Sequence, residues 1–453
     1  MKQRNHDMLH GPLLSNLISY AIPVMLTGII QMLFHATDLA VVGQFCGSTS
    51  VAAVGATGSL SGLIINLFIG LSTGAGVTVA HAIGSRDQEK THRTVHTTIT
   101  ISLIGGVVLA AIGIIYCEDF LLWMETPADV LPLSVLYMRI YFTAMPVVML
   151  YNFAASILRA AGDTRNPLLI LTISGAINVV LNIIFVTAFG MNVDGVALAT
   201  VISTVFSAVM AVLILIRRTD AVRLDFRKLQ IYKTQMLSIL RIGLPAGIQS
   251  SIFAISNVLI QSSINSFGEF FMSGNAAAAN IDGFVYTAMS SFSQAAVNFV
   301  GQNAGAQQYK RVKQVFWRCL GCTTALGILL GSVVYACGRQ LLGIYITDSP
   351  QAIEYGMIRL AYLCLPYFLC GIMDVGTSAL RGMGVSVTPM IVTILGVCGI
   401  RITWILTVFQ VPRFHTPQSL YLSYTISWAF TSAILIPAFL LLLRKRLRNS
   451  PEP

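Results

Sequence analysis

Apolar residues in this chain run in long blocks separated by brief polar breaks. Twelve blocks lie near 13–42, 51–83, 94–117, 131–158, 166–189, 194–216, 236–265, 275–303, 316–338, 353–380, 386–410 and 418–443. A helical span needs about 20 mostly apolar residues, so each block predicts one transmembrane helix. The one long polar connection, Arg217 to Gln235, falls at the middle of the chain. The first block follows the polar stretch Met1 to Pro12 and is too long for the apolar stretch of a signal peptide. It reads as a retained span, and the whole as an all-α integral membrane protein.

Composition agrees with the pattern. Of 453 residues, 55% are hydrophobic and 10% charged, with a mean hydropathy of +0.76. Soluble domains carry about 25% charged residues, too many for this chain to match with a water-facing surface. The net charge of +10 suggests nucleic acid only until the charges are placed. With the N-terminus inside, beginning with Lys2 and Arg4, all 28 Lys and Arg fall on inner segments except Arg139, Arg339, Arg359, Arg401 and Arg413. The outer loop after the third span carries Glu118, Asp119, Glu125 and Asp129. The bias is topological, with both termini cytoplasmic and no nucleic-acid partner expected. The eight cysteines nearly all lie in apolar runs, and Cys319 and Cys322 lack the second pair a metal site would need. No metal site is expected.

The two halves of the chain repeat at an offset close to 222 residues. Pro23 pairs with Pro245, Gly84 with Gly305, and LRAAGDTRNP (Leu158 to Pro167) with LRGMGVSVTP (Leu380 to Pro389). Six spans per half is an even number, so the repeats are parallel. The expected division is an N-lobe at 1–217, a cytoplasmic linker at 218–235 and a C-lobe at 236–453.

Carboxylates inside spans are the best pointers to chemistry, because each costs about 3 kcal/mol to insert. Asp38 shares a helical stripe with Gln31 and His35, at spacings that put all three on one face. Such a stripe faces protein or a wet cavity, not lipid. The competing reading makes Asp38 a packing residue near the outer interface. Pro23 and Gly28, earlier in the span, would let the helix bend. Asp374, with Ser378 four residues on, gives the C-terminal half a polar face; it binds a cation or pairs structurally, for instance with Arg401. Asn257, Gln261 and Asn265 recur every four residues in the seventh span, where Gln249 also lies, as cavity lining or as glue between helices. Asn280 and Asp282 read as an interfacial helix start. Arg159, Gly162, Asp163 and Pro167, with Arg381, Gly384 and Pro389, shape two inner turns whose charges would latch one state. No phosphate-binding loop, zinc-protease motif or nucleophile elbow occurs, so no enzymatic activity is expected.

The segments HATDLAVVGQF, LYNFAASILRAAGDTRNPLL, GAINVVLNIIFV and LRGMG resemble the multidrug and toxic compound extrusion (MATE) family, in the right order over nearly the whole chain. The major-facilitator superfamily has the same span count, but its loop between the second and third spans is poorly matched by GSRDQEKTHR. The resemblance implies two pseudo-symmetric six-helix bundles around a V-shaped central cleft. It also implies antiport of amphiphilic, often cationic, small molecules against protons or sodium ions. Asp38 matches the family's first-span aspartate of cation coupling, with His35, Asn178 and Asn182 beside it. Asp374, Gln31, Gln249, Asn257, Gln261 and Ser378 are the substrate or cation candidates; Pro23, Arg159, Gly162, Asp163, Arg381 and Gly384 are the gating or structural ones. Where several members carry a fifth-span aspartate, this chain has Asn182, and the glutamate that some sodium-coupled members carry in the seventh span is absent. The expectation is a monomeric multi-pass multidrug exporter of a prokaryotic plasma membrane. It would be surrounded by lipid and use no cofactor beyond H+ or Na+, with protons preferred. The alternative is a flippase for a lipid-linked or polysaccharide precursor, which the scarcity of basic residues within spans disfavours.

Overall fold

Lipid offers no hydrogen bonds, so each apolar block closes its backbone bonds within a helix. The computed structural model describes residues 7–124, 126–347 and 349–449, and no strand occurs among them. Lys2, Arg4 and Glu125, used in the charge argument, lie outside that range.

The first half comprises α1 (Leu13–Phe45), α2 (Ser48–Gly84), α3 (Gln88–Trp123), α4 (Leu131–Thr143), α5 (Met145–Ala160), α6 (Arg165–Ile183) and α7 (Val193–Ile216). The second comprises α8 (Lys233–Asn265), α9 (Glu269–Gly305), α10 (Tyr309–Ala336), the short α11 (Gly338–Tyr345), α12 (Pro350–Arg359) and α13 (Tyr367–Gly382). It closes with α14 (Val387–Thr393), α15 (Ile400–Leu406) and α16 (Pro417–Asn449). Among the described residues, nine helical segments are each long and apolar enough to cross a bilayer. The pair α4–α5, bent by 50°, and the pair formed by α12 with its π-helical extension and α13, bent by 43°, make eleven. With the more polar α9, these occupy the twelve expected blocks.

The repeat is visible in backbone detail. The two bends lie at Ala144, two residues before Pro146, and at Pro366, the repeat offset apart, and each of these prolines breaks the hydrogen-bond ladder. Left-handed backbone recurs at Gly47 and Gly268, at Arg86 and Gln307, and at Gly162 and Gly384. The last pair closes α5 and α13 with the same cap: Asp163 N donates to Leu158 O at 2.9 Å and Val385 N to Leu380 O at 3.0 Å. Glycine suits this position because its missing Cβ removes the left-handed penalty.

By packing, the chain forms two units, Met1–Asp7 with Leu26–Gly247, and Met8–Met25 with Ile248–Pro453. This differs from the boundaries expected at 217 and 236. Each half lends the start of its first helix to the other unit, and the handover follows Pro23 in α1 and Pro245 in α8. Polarity locates linkers but does not show which bundle half a helix packs against, hence the difference. In the first unit, glycine contacts hold the start of α8: a Cβ on Gly70 would lie 2.1 Å from Gly247 N, and one on Gly74 2.4 Å from Gly243 N. In the second unit, Tyr20 of α1 stacks edge-on against Phe299 at 5.4 Å, and its hydroxyl accepts from Asn298 at 2.9 Å.

The segments entering these helices also dock. Val222 and Leu224 of the central connection are buried in the first unit, and Asp225 N donates to His96 Nε2 at 3.1 Å. Met8, at the other entry, is buried in the second unit, and its carbonyl accepts from Asn303 at 3.0 Å.

Candidate functional site

In the first unit, a polar chain crosses α1, α6 and α7. Asp38 is half-buried, and its Oδ1 accepts from Asn182 Nδ2 at 2.5 Å. The same amide donates to Asn178 Oδ1 at 3.2 Å, and Asn178 donates to Thr200 Oγ1 at 3.3 Å. Asn182 is fully enclosed, Asn178 nearly so. Close approach of the helices makes the register possible: a Cβ on Gly175 would lie 1.6 Å from the Phe34 ring. Asp38 follows Phe34 by one turn and Asn182 follows Gly175 by two, so the contact sets carboxylate against amide. A π-helical turn, Ile184–Ala188, follows Asn182 directly, a distortion frequent at functional sites.

Asn182 Oδ1 is buried and has no partner. A buried amide oxygen without a donor is costly, about 1–3 kcal/mol. An ionised Asp38 takes the amide N–H, as observed. A protonated Asp38 would need an acceptor, and rotation of the Asn182 amide supplies that oxygen. The pair can therefore satisfy both charge states of the carboxyl.

The second unit holds a larger and more highly charged site, a cavity of about 380 Å³ lined by residues of α8, α9, α12, α13, α15 and α16 among others. Pockets for small molecules commonly fall at about 300–1,000 Å³. In its wall, Arg359 donates through Nε to Asp282 at 2.8 Å and through Nη1 to Asn275 at 2.7 Å, and the Tyr421 hydroxyl also donates to Asn275 at 2.8 Å. Glycines again set the spacing, since a Cβ on Gly274 would lie 2.2 Å from Ala352 O. Asp374, half-buried, lines the cavity with Tyr286 and feels the charge of Arg381. Arg401, 6% exposed, stacks its guanidinium on Tyr424 at 3.8 Å and donates through Nε to Ser427 at 3.0 Å.

The expected residues thus divide. Asp38, Asn178 and Asn182 come together, whereas His35 and Gln31 are exposed on α1 and hydrogen-bond to nothing described. Asn257 and Gln261 line the second cavity, and Gln261 also donates to Asn265 at 2.9 Å. Gln249 lies outside the lining and accepts from Arg381 at 2.7 Å. Ser378 is half-buried on the turn after Asp374. Arg401 forms no ion pair with Asp374, because the aromatic faces of α16 and Ser427 hold it. At the inner turns, Asp163 pairs with buried Arg218 at 3.7 Å and caps Asn166, so these charges are engaged within the first unit, as Arg381 is within the second.

One expectation needs correction. Asp282 is not an interfacial helix start: α9 begins at Glu269, after the left-handed Gly268, which places Asp282 well inside. Arg359, in the 353–380 block, joins Arg401 as an enclosed cation, its side chain 13% exposed and paired with Asp282. Opposite charges in two apolar blocks were the signal available, since neither is tolerated without the other.

A duplicated membrane bundle with enclosed polar groups in each half, one of them around a cavity of small-molecule size, defines a membrane transporter. The family model described as MatE matches residues 23–184 and again 245–406, at the repeat offset. The chain belongs to the MATE family of multidrug efflux transporters. It is 29% identical to the probable multidrug resistance protein YoeA of Bacillus subtilis, over 84% of each chain. It is 24% identical to a protein of Shewanella oneidensis named FAD transporter, over 88% of each. A solved outward-facing multidrug resistance MATE transporter of the MOP superfamily shares the fold, with a TM-score of 0.91 at 19% identity, covering 99% of this chain and 100% of that one.

Proposed function

We propose that the protein exports amphiphilic small molecules by alternating access, exchanging each for a proton that is carried on Asp38. The observation that carries the reading is the Asp38–Asn182 pair with its spare buried amide oxygen. A proton on Asp38 removes the charge that holds the amide N–H, and the amide turns to accept instead. This changes how α1 is tied to α6, next to the π-helical turn and within a helix weakened at Pro23. Substrate and proton binding favour different states, and exchange follows from that difference. The name of the Bacillus subtilis relative supports export of drug-like compounds. The distribution of basic residues supports both termini being cytoplasmic, and the bacterial relatives support a prokaryotic plasma-membrane location.

The test uses purified protein in liposomes, a trapped fluorescent amphiphile, and proton and sodium gradients imposed separately. A proton gradient should drive efflux and a sodium gradient should not. Asp38→Asn should abolish the driven efflux while leaving the protein folded. Undiminished efflux by that variant would remove Asp38 from the mechanism.

A further inference from the structure

The charges around the second cavity do not balance. Arg359 is neutralised by Asp282, and the charge of Asp374 is offset by that of Arg381. Arg401 has no carboxylate within ion-pairing distance among the described residues. Its Nε is satisfied by Ser427, but neither Nη group donates to any described protein atom. The side chain is more than nine-tenths buried and lines the cavity, so these N–H donors can be met only from inside it. A buried cation left this way is costly, and a guanidinium is suited to a carboxylate or phosphate through paired N–H donors.

The surroundings add a second requirement. Tyr424 and Trp428 lie under the guanidinium, and Tyr367 stacks on Trp428 at 5.3 Å and 24°. This aromatic wall offers a flat face beside the positive charge, which favours a ring next to the anionic group. An organic cation would meet Arg401 and Arg359 with no free carboxylate nearby except Asp374, whose charge Arg381 already offsets.

We propose that this cavity binds the anionic group of a planar aromatic solute, with Arg401 taking the carboxylate or phosphate and Trp428 and Tyr367 the ring. This rests on the export reading and names a substrate class for it. It departs from the cationic preference that the family resemblance implied.

The test compares two probes of the same ring system, 2-naphthoate and 2-naphthylmethylammonium, binding to the purified protein in lipid nanodiscs, with empty nanodiscs as blank. Naphthoate should bind about tenfold or more tightly than the ammonium probe and should quench tryptophan fluorescence, and Trp428→Phe should remove that quenching. Arg401→Gln should weaken naphthoate by about 10- to 100-fold, the usual effect of deleting a charge-assisted hydrogen bond. Equal or reversed preference between the probes, or quenching that survives Trp428→Phe, would overturn the proposal. Both readings hold even if Arg401→Gln does not fold, because they use the native cavity and a conservative ring exchange. No gradient is imposed, so failure here would remove the anion site and leave coupling at Asp38 standing. Failed proton-driven efflux would do the reverse.

Discussion

The two units share a backbone plan and differ in the chemistry placed on it. Bends, helix caps and left-handed turns recur about 222 residues apart. The functional side chains do not. At that offset Asp38 faces Ile260, Asn178 faces Ile400 and Asn182 faces Trp404. In the other direction, Arg359 corresponds to Tyr137, Asp374 to Asn152 and Arg401 to Val179. The π-helical turns differ too: Ile184–Ala188 follows Asn182, whereas Ile394–Gly399 precedes Arg401 and contains Val397, the repeat position of Gly175. Duplication preserved what lipid demands, closed helices with small residues at crossings, and left the enclosed polar positions free to diverge. One unit came to set the Asp38 carboxyl against an adaptable amide, the other to line a charged cavity.

That division predicts where stability and transport separate. The largest effect should come from Asp282→Ala, which strands Arg359 inside the second unit. Breaking a buried pair from one side costs about 3–5 kcal/mol, read as a lower unfolding temperature in detergent. Replacing both partners, with Asp282→Leu and Arg359→Met, should recover most of the loss. If the single variant is as stable as wild type, the second unit is not organised around this pair.

Next comes Gly175→Val, which pushes Phe34 aside and moves α1 from α6. Overpacking of this kind costs about 1–3 kcal/mol, and driven efflux should fall with it. Full activity would show that the register of Asp38 against Asn182 is unimportant. Asn182→Ala should cost about 1–2 kcal/mol by leaving Asp38 and Asn178 short of a partner. Its sharper readout is the pH dependence of efflux, which should shift in this variant and stay in place in Asn257→Ala. An unshifted profile in Asn182→Ala would separate the amide from the proton.

The smallest effect is expected at the exposed pair Arg139–Glu118, 3.3 Å apart. Arg139→Gln should change stability by less than about 1 kcal/mol and leave efflux intact.

Much of this was legible in the sequence, and the reason is lipid. Backbone satisfaction forces spans to be long and apolar, so the twelve blocks locate the helices, and the recurrence of Gly162 and Gly384 marks two identical caps. Asn178 and Asn182 were found through the family resemblance, which set them beside Asp38. Opposite charges in two apolar blocks hinted at an enclosed pair, but that Asp282 meets Arg359 was not legible, because spacing along a helix shows which residues share a face but not which face of another helix they meet. The exchange of half-helices at Pro23 and Pro245 was hidden for the same reason. A proline shows where a helix is weak, not which bundle holds each side of it.

The direct test of the account is to watch the carboxyl of Asp38. Infrared spectra of the protein in lipid, titrated from acid to alkaline, should contain a protonated-carboxyl band that Asp38→Asn lacks and that Asn182→Ala displaces in pH. Identical spectra for wild type and Asp38→Asn throughout the titration would mean that Asp38 never carries the proton.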